Sequence, residues 1–323
     1  MNRFQHLSRI AYHYIKKSVV LPYPPYLYTI EPTNICNFAC SFCPQSDPKH
    51  KFEREQGYLS VENYKLFLKK RNALSPGNRN SSLTLDGEPL LNPNFVELVA
   101  ITNEFGLTPR FSSNARLLYP NITDELAKAG GFSISVDFAS EEEIFERIRG
   151  RKGDFEPVYE NLKYLVEVAR KEPKVRVEIV DISTFAGAEE KPSLRKMRSL
   201  FPEHLTRNIK FYTREFHNFT GHLEFEKGKR YRLCPYPWTM LAVTWDGNAV
   251  ACCRDTSART ILGNVFEDEI MSIWNGKRYR ELRSALIGRR TQDIAACRSC
   301  DLPYSPDNKR WNPMYIIKSI LSR

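Results

Sequence analysis

The arrangement of the cysteines constrains this chain more than any other feature of its sequence. The eight cysteines are Cys36, Cys40 and Cys43, then Cys234, Cys252, Cys253, Cys297 and Cys300. No cysteine lies between the two groups. Cysteines that cluster in a chain without a secretory signal favour metal binding over disulfide bonds. We therefore expect two separate metal centres.

Composition excludes several classes of protein. The chain has 323 residues, of which 41% are apolar, enough for one large domain and a small one. The mean hydropathy is −0.47, and no apolar run is long enough to span a membrane. Near the N-terminus, Arg9, His13, Lys16 and Lys17 interrupt the apolar residues, unlike in a secretory signal. The sequence therefore predicts a cytoplasmic protein.

The net charge of +10 is concentrated at the two ends of the chain. Residues 1–18 carry four bases and no acid, and residues 305–323 carry four bases against one aspartate. This is not the diffuse basic surface of a nucleic-acid-binding protein, so we expect no nucleic-acid partner. Both ends are also amphipathic. Their apolar positions are Phe4, Leu7, Ile10 and Tyr14, and Met314, Ile316, Ile317, Ile320 and Leu321. Two explanations fit: packing on the fold, and peripheral contact with an anionic membrane.

Strand-like and helical segments alternate between residues 26 and 215. The predicted strands are Leu27–Thr33, Ser82–Leu85, Thr108–Ser113, Phe132–Asp137, Val175–Ile182 and Ile209–Thr213. The predicted helices are Val61–Arg71, Phe95–Phe105, Asp124–Ala129, Glu156–Lys171 and Pro192–Leu200. This order predicts an α/β fold with a parallel sheet, either open and doubly wound or a partial barrel.

The last third of the chain has a different character. Residues 239–252 predict a β-hairpin with a turn at Asp246-Gly247, and an amphipathic helix follows at about 267–287. A module this small, with so few strands, needs a metal to stabilise it.

Polar motifs follow the first four predicted strands. They are Cys36–Cys43, Asp86-Gly87-Glu88-Pro89, Ser112-Ser113-Asn114 and Ser135-Val136-Asp137. Because the carboxyl ends of parallel strands meet at one rim, these motifs predict one common site.

Three cysteines from one loop are informative because a structural metal site normally uses four ligands. Three thiolates leave one coordination position for a substrate or cofactor. The alternative is half of a zinc site. The Cys36-x-x-x-Cys40-x-x-Cys43 spacing after a first strand resembles the signature of the radical S-adenosylmethionine (SAM) superfamily. The resemblance implies a partial (β/α)6 TIM-like barrel, and a [4Fe–4S] cluster that binds SAM and cleaves it to a 5′-deoxyadenosyl radical.

The resemblance extends to the other rim motifs. The resemblance implies that Phe42 packs on the SAM adenine and that Gly87 and Glu88 bind the SAM amino group. Asp86 replaces a glycine of the family pattern. Further cofactor-binding positions implied are Ser113, Asn114, Ser135, Asp137 and Arg149. A zwitterionic ligand needs both an acid and a base, which this set supplies. The alternatives are capping of a strand end for Ser135 and Asp137, core packing for Phe42, and a solvated helix face for Arg149.

The second cysteine group resembles the SPASM/twitch extension of radical SAM enzymes. Cys234, Cys252, Cys297 and Cys300 suffice for one auxiliary [4Fe–4S] cluster, as in the 2-deoxy-scyllo-inosamine dehydrogenase type. Spacing alone leaves Zn²⁺ open as an alternative. Cys253 is left over beside Cys252: it is either a buried small hydrophobic residue or the true ligand with Cys252 spare, and the 18-residue step from Cys234 favours Cys252 as the ligand. We predict a basic extension over residues 1–25, a radical SAM core over 26–228, an auxiliary cluster domain over 229–304 and a basic tail over 305–323.

The expected function is oxidation of a small polar substrate, such as a sugar or an aminocyclitol. The radical takes a hydrogen atom, a base takes a proton, and the auxiliary cluster takes an electron. We expect His217 to be the base, ahead of Arg214, Glu215 and His222, because neutral imidazole accepts a proton near pH 7. A flavodoxin or ferredoxin is the expected reductant. The alternatives are a peptide- or protein-modifying radical SAM enzyme, and a non-catalytic zinc-stapled protein that binds nucleic acid or membrane.

Overall fold

The computed structural model describes residues 3–47, 54–187, 191–202, 206–214, 217–224, 228 and 230–304. The contacts divide the chain into two compact units. The central unit consists of Glu31–Tyr64 and Asn80–Phe216. The terminal unit consists of Met1–Ile30, Lys65–Arg79 and His217–Arg323, so it is assembled from three separate segments. The domain bounds drawn from the sequence stay a prediction.

A parallel β-sheet forms the centre of the central unit. Its strands are β2 (Asn80–Leu83), β3 (Thr108–Ser113), β4 (Phe132–Phe138), β5 (Val175–Asp181) and β6 (Ile209–Thr213). Each pairs in parallel with the next, and β6 forms an edge. The sheet therefore does not close into a full barrel, and the predicted α/β class with a partial barrel is confirmed.

Helices connect these strands. They are α3 (Phe95–Glu104), α4 (Pro120–Lys128), α5 (Glu142–Arg149), α6 (Phe155–Lys171) and α7 (Leu194–Ser199), preceded by α2 (Val61–Leu74), which contributes to both units. Alternate strand residues such as Phe111, Ile134 and Ile179 are buried. Their neighbours Ser112 and Ser135 are half-buried, so one face of the sheet is apolar and the other is polar.

The terminal unit joins the two ends of the chain. Its elements are α1 (Arg3–Ile15), β1 (Leu27–Ile30), α8 (Tyr236–Thr239), β7 (Met240–Val243), β8 (Asn248–Val250), β9 (Ile261–Asn264), α9 (Ile270–Trp274) and α10 (Lys277–Ile287). Strand β1 pairs in parallel with β7, and β7, β8 and β9 form an antiparallel meander. Buried Arg283 donates to the carbonyls of Val19, Pro237 and Trp274. None of the described helices is long and apolar enough to cross a membrane.

All six predicted parallel-type strands and the hairpin are present, but several bounds were wrong. The second strand begins and ends two residues earlier than predicted, since the chain leaves the sheet to reach the turn at Gly87. The helix expected from Asp124 begins at Pro120, because proline suits the first helical turn. The helix predicted from Pro192 begins at Leu194. Ser193 caps it by accepting a hydrogen bond from the Lys196 amide.

Three features were missed. Helix α5 was not predicted, although Ile144, Phe145 and Ile148 form its buried face. The single helix expected at 267–287 is two helices, separated at Asn275-Gly276. The strand β9 was also missed. The predicted amphipathic tail at 305–323 lies outside the described residues.

Candidate active site

The cysteine loop of the central unit is attached to the C-terminal end of α5. The amide of Ser41 donates to the carbonyl of Ile148 at 2.8 Å. Gly150 ends α5 with φ +71°, and a Cβ there would lie 2.7 Å from the carbonyl oxygen of Ala39. Only glycine permits both this backbone conformation and this approach. The loop that carries Cys40 therefore lies directly against the helix that carries Arg149.

Glu88 is the most firmly held polar side chain of the site. Its carboxylate accepts hydrogen bonds from Ser113 Oγ at 2.8 Å, from the Asn114 amide at 2.7 Å and from the Leu90 amide at 3.2 Å. The side chain is buried, and burial raises the pKa of Glu88 to about 7. The ends of β2 and β3 therefore meet at one acid, as the rim motifs predicted.

Gly87 brings this acid to the cysteine loop. Its φ is +68°, and a Cβ on it would lie 2.6 Å from the Thr33 carbonyl oxygen and 2.7 Å from that of Ile35. The Glu88 amide donates to the same Ile35 carbonyl at 2.8 Å. The backbone thus requires a glycine here for both conformation and space.

Asp86, which replaces a glycine of the family pattern, contacts the residues after Cys43. Gln45 donates from Nε2 to Asp86 Oδ2 at 2.8 Å and to the Asn34 carbonyl at 3.0 Å. The substitution thus supplies a side-chain bond between the β2 turn and the end of the cysteine loop.

Arg149 is buried between the cysteine loop and β4. Its Nη1 donates to Cys40 Sγ at 3.3 Å, and its Nη2 donates to the Asp137 carbonyl. Its Nε is buried and has no hydrogen-bond partner among the described residues. The interpretation of Arg149 as a solvated helix-face charge is therefore wrong, and one donor remains for a ligand.

The remaining predicted residues lie nearby in the central unit. The Asp137 carboxylate pairs with Arg214, and Ser135 lies two residues earlier on the same face of β4. Phe42 is buried and stacks on Phe185 with ring centroids 4.4 Å apart. Asn114 Nδ2 donates to Asn37 Oδ1 at 2.7 Å and lies 4.0 Å from Cys36 Sγ. The structure thus brings all the predicted rim residues to one end of the sheet.

The second cysteine group lies in the terminal unit. Burial raises the pKa of Cys252 well above its usual range, and negative charge on Cys253, Cys234, Cys300 and Cys297 raises it further. Burial likewise raises the pKa of Cys234 to about 12. Five thiols, Cys252 and four near it, therefore come together from three distant parts of the chain.

An arginine whose side chain is 16% exposed accompanies these thiols. Arg254 donates from Nη1 to Asp301 Oδ1 at 2.7 Å, and its backbone amide lies 3.4 Å from Cys252 Sγ. Its positive charge lowers the pKa values of Cys234 and Cys300 against the effect of burial. The second cysteine site thus contains a cation that offsets part of the negative charge of its thiolates.

His217 lies in the terminal unit. The next residue, Asn218, is hydrogen-bonded to the turn that carries Cys297 and Cys300, called the knuckle below. Asn218 donates to the Ser299 carbonyl at 2.7 Å and accepts from the Asp301 amide at 3.2 Å. Phe219 and Thr220 both have positive φ, 47° and 57°. Strained backbone of this kind persists where the surrounding structure fixes it, often at functional sites. Of the other base candidates, Arg214 pairs with Asp137, His222 is half-buried, and Glu215 lies outside the described residues.

Two family models match this chain. The Radical SAM superfamily model matches residues 30–184, and the SPASM model, an iron–sulfur cluster-binding domain, matches residues 234–301. The chain belongs to the radical SAM superfamily. As a radical SAM enzyme with a SPASM domain, it uses SAM, a SAM-binding [4Fe–4S] cluster and auxiliary iron–sulfur chemistry. The alternative of a non-catalytic zinc-stapled protein is therefore set aside.

Known proteins resemble this chain over part or most of its length. The S-adenosyl-L-methionine-dependent 2-deoxy-scyllo-inosamine dehydrogenase of Niallia circulans is 23% identical over 276 residues, 84% of this chain and 91% of the relative. The sporulation killing factor maturation protein SkfB of Bacillus subtilis is 30% identical over 145 residues, 45% of this chain and 34% of the relative. A crystal structure of BtrN in complex with AdoMet and 2-DOIA matches the fold with a TM-score of 0.57 at 19% identity, covering 85% of this chain and 92% of that one.

The side chains present fit the cofactors that the radical SAM family implies. Both sites contain buried thiols, and Arg149 Nε offers a donor to a ligand carboxylate. The match to an iron–sulfur cluster-binding domain over residues 234–301 favours a cluster over one Zn²⁺ at the second site.

Several residues of these radical SAM sites were missed by sequence reasoning. They are Asn37, Gln45, Asn218, Arg254 and Asp301. Only the position of Asn37, inside the cysteine motif, could have drawn attention. The others act through contacts between residues far apart in the chain.

Proposed function

We propose that this radical SAM enzyme oxidises a small polar substrate, such as a sugar or an aminocyclitol, by two electrons. The observation that carries the proposal is the second cysteine site, where buried Cys300 and half-buried Cys234, Cys252 and Cys297 are grouped with Arg254 nearby. A cluster with four cysteine ligands has no coordination position for substrate, so outer-sphere electron transfer is its natural role. The likeness to the Niallia circulans dehydrogenase over 84% of the chain also supports an oxidation.

We assign Cys36, Cys40 and Cys43 to the SAM-binding cluster, and Cys234, Cys252, Cys297 and Cys300 to the auxiliary cluster. When bound, these groups and SAM supply a 5′-deoxyadenosyl radical that takes a substrate hydrogen atom, and a site that accepts one electron. The residues of the chain bind and orient SAM and the substrate, and one of them removes a proton from the substrate.

Glu88 and Arg149 are proposed to hold the two charged ends of the SAM amino acid. Three hydrogen bonds fix the Glu88 carboxylate, and a ligand ammonium beside it would favour its ionised form. Arg149 is buried and retains one donor for the SAM carboxylate. Gly87, Ser113 and Asn114 position Glu88 and complete this part of the site.

The other SAM contacts are assigned to the aromatic and β4 residues. Phe42 offers a flat buried ring for the adenine. Ser135 and Asp137 share one face of β4 and offer a hydroxyl and a carboxylate to the ribose.

His217 is proposed as the base that takes the substrate proton. Asn218 attaches the neighbouring backbone to the knuckle of the second cysteine site. A proton acceptor near the electron acceptor suits an oxidation, in which the substrate radical loses a proton and an electron.

A flavodoxin or ferredoxin is the proposed source of the electron that cleaves SAM. A cytoplasmic location fits this partner and the reduced cysteines.

A peptide or protein substrate is the second candidate function. It is favoured by the match to the SkfB maturation protein, at 30% identity over 145 residues.

The first test is the iron and zinc content of anaerobically reconstituted enzyme. We expect about eight irons per chain, four at each site. About four irons with one zinc would remove the electron-acceptor role.

The second test measures products with SAM, reductant and panels of aminocyclitols, sugars and short peptides. We expect Cys36→Ala to abolish formation of 5′-deoxyadenosine. We expect Cys297→Ala with Cys300→Ala to retain some 5′-deoxyadenosine but to lose substrate oxidation. Oxidation at the normal rate in the double variant would overturn the proposed electron transfer, and turnover of peptides alone would establish the second candidate.

A further inference from the structure

We propose that helix α1 is a docking surface for a membrane rich in anionic phospholipid. Eight large hydrophobic residues are exposed among the described residues, and four of them lie between positions 4 and 20. They are Phe4 (71% exposed), Tyr12 (58%), Ile15 (68%) and Val20 (56%). Exposed hydrophobic residues scattered singly are ordinary, whereas a group on one short segment marks an interaction site.

The exposed residues of α1 share one side of the helix. At 3.6 residues per turn, Phe4, Ser8, Tyr12 and Ile15 fall within an arc of about 80°. Beyond Tyr12, Gln5 and Arg9 come next around the helix, and Lys16, directly after its last residue, falls between them. This order, an apolar strip with bases along its edge, is that of a helix lying in a membrane interface.

The opposite side of α1 holds the helix in place. Leu7 and Ile10 are buried, and His6 Nε2 lies 2.9 Å from the Pro24 carbonyl oxygen. Tyr14 donates its hydroxyl proton to the Leu233 carbonyl. The helix is therefore packed through one face and presents the Phe4–Ile15 strip on the other. Both sequence-based explanations apply, one to each face.

The positive charge around α1 indicates what binds to its exposed face. The first 30 residues contain Arg3, Arg9, Lys16 and Lys17 and no acid. An anionic lipid surface attracts each nearby base by about 1 kcal/mol. The segment 305–323 also contains apolar residues, but its net charge is positive. It would therefore be repelled by the bases of α1 and is unsuited to cover that helix.

The test is flotation of the reconstituted full-length enzyme with vesicles. We expect binding to vesicles of phosphatidylglycerol and phosphatidylcholine in equal parts, but not to phosphatidylcholine alone. Arg9→Gln with Lys16→Gln should weaken binding roughly 30-fold, at about 1 kcal/mol per base. Phe4→Ser with Ile15→Ser should weaken it at least about tenfold by removing two apolar side chains.

The matched control is Lys277→Gln with Arg280→Gln, which removes two exposed bases from α10. It should bind like the unaltered enzyme, and iron content should be equal in all variants. No binding to anionic vesicles, or unchanged binding by both α1 variants, would overturn the proposal. Binding that appears only after deletion of residues 305–323 would also overturn it, because the tail would then be the occupant.

Discussion

Arg254 donates a hydrogen bond to Asp301 at 2.7 Å, and Asp301 directly follows Cys300. The Arg254 side chain is only 16% exposed, and its charge interacts with Cys300 and Cys253 as well as with Asp301. An added electron makes a cluster more negative, and a fixed cation nearby stabilises that state.

Arg254 is therefore expected to raise the reduction potential of the auxiliary cluster. A unit charge ~8 Å away at an effective dielectric constant of ~20 contributes ~2 kcal/mol, or roughly 80 mV for one electron. Arg254→Gln should lower the potential by that order, whereas Arg254→Lys should change it less. The measurement is a redox titration followed by EPR, in a Cys36→Ala, Cys40→Ala, Cys43→Ala background that retains only the auxiliary site. Equal potentials in the Gln and Lys variants would contradict the electrostatic explanation.

Gly87 is expected to tolerate no side chain. Gly87 and Gly106 have nearly the same positive φ, 68° and 73°, but a Cβ on Gly106 would meet nothing within 4 Å. Alanine at either position should cost ~1–2 kcal/mol of stability through backbone strain. Gly87→Ala should cost several kcal/mol more and lose iron, since the Cβ would displace the carbonyls before Cys36. Urea denaturation and iron content check this difference, and equal losses in the two variants would count against it.

SAM binding is expected to weaken as the pH falls. Burial raises the pKa of Glu88 to about 7, so below pH 7 the free enzyme mostly holds a protonated Glu88. An ammonium prefers the ionised carboxylate, so binding must then release that proton. Between pH about 8 and pH about 6 the Kd should rise roughly tenfold. Calorimetry in buffers of different ionisation enthalpy would detect the proton. Glu88→Gln should bind more weakly and lose this dependence; an unchanged pH profile in that variant would refute the assignment.

Cys252, and not Cys253, is expected to be a cluster ligand. Burial and the charge on Cys253, Cys234, Cys300 and Cys297 raise the pKa of Cys252, and the charge on Cys253 also raises that of Cys234, so both adjacent thiols lie close to the group. The 18-residue step from Cys234 favours Cys252 as the ligand. Cys252→Ser should lose about four irons, and Cys253→Ser should keep them. Iron and sulfide analysis of the two variants decides between the adjacent cysteines, and the reverse result would exchange their roles.

The parts that could be predicted from the sequence are those encoded by local spacing. The three-cysteine loop, the turn at Gly87 and the polar ends of β3 and β4 each occupy a few consecutive residues, and the parallel order of the strands brings them to one rim. Helix α5 was harder to predict because it is short and begins with two consecutive glutamates, with only Ile144, Phe145 and Ile148 to mark a buried face.

Contacts between distant residues could not be predicted in the same way. Arg254 and Asp301 are 47 positions apart, and Asn218 and Ser299 are 81 apart. Arginine and asparagine are common surface residues, so nothing local marks these as buried partners of a cysteine site. Likewise, the sequence placed Leu7 and Phe4 on one amphipathic segment, but only the structure separates the buried side from the exposed one.

The three-segment construction of the terminal unit also has a consequence for biosynthesis. Strand β1 needs β7 as a partner, and Trp274 donates to the Tyr23 carbonyl at 3.0 Å. At about 5–20 residues per second, the ribosome needs roughly 10–40 s after residue 30 before it reaches the third segment. During that interval the first segment has only the second segment, Lys65–Arg79, as a partner within its own unit. The auxiliary cysteines are therefore assembled only near the end of translation, and in a nascent chain arrested before β7 the edge of β1 that pairs with β7 stays open for chaperones to cover.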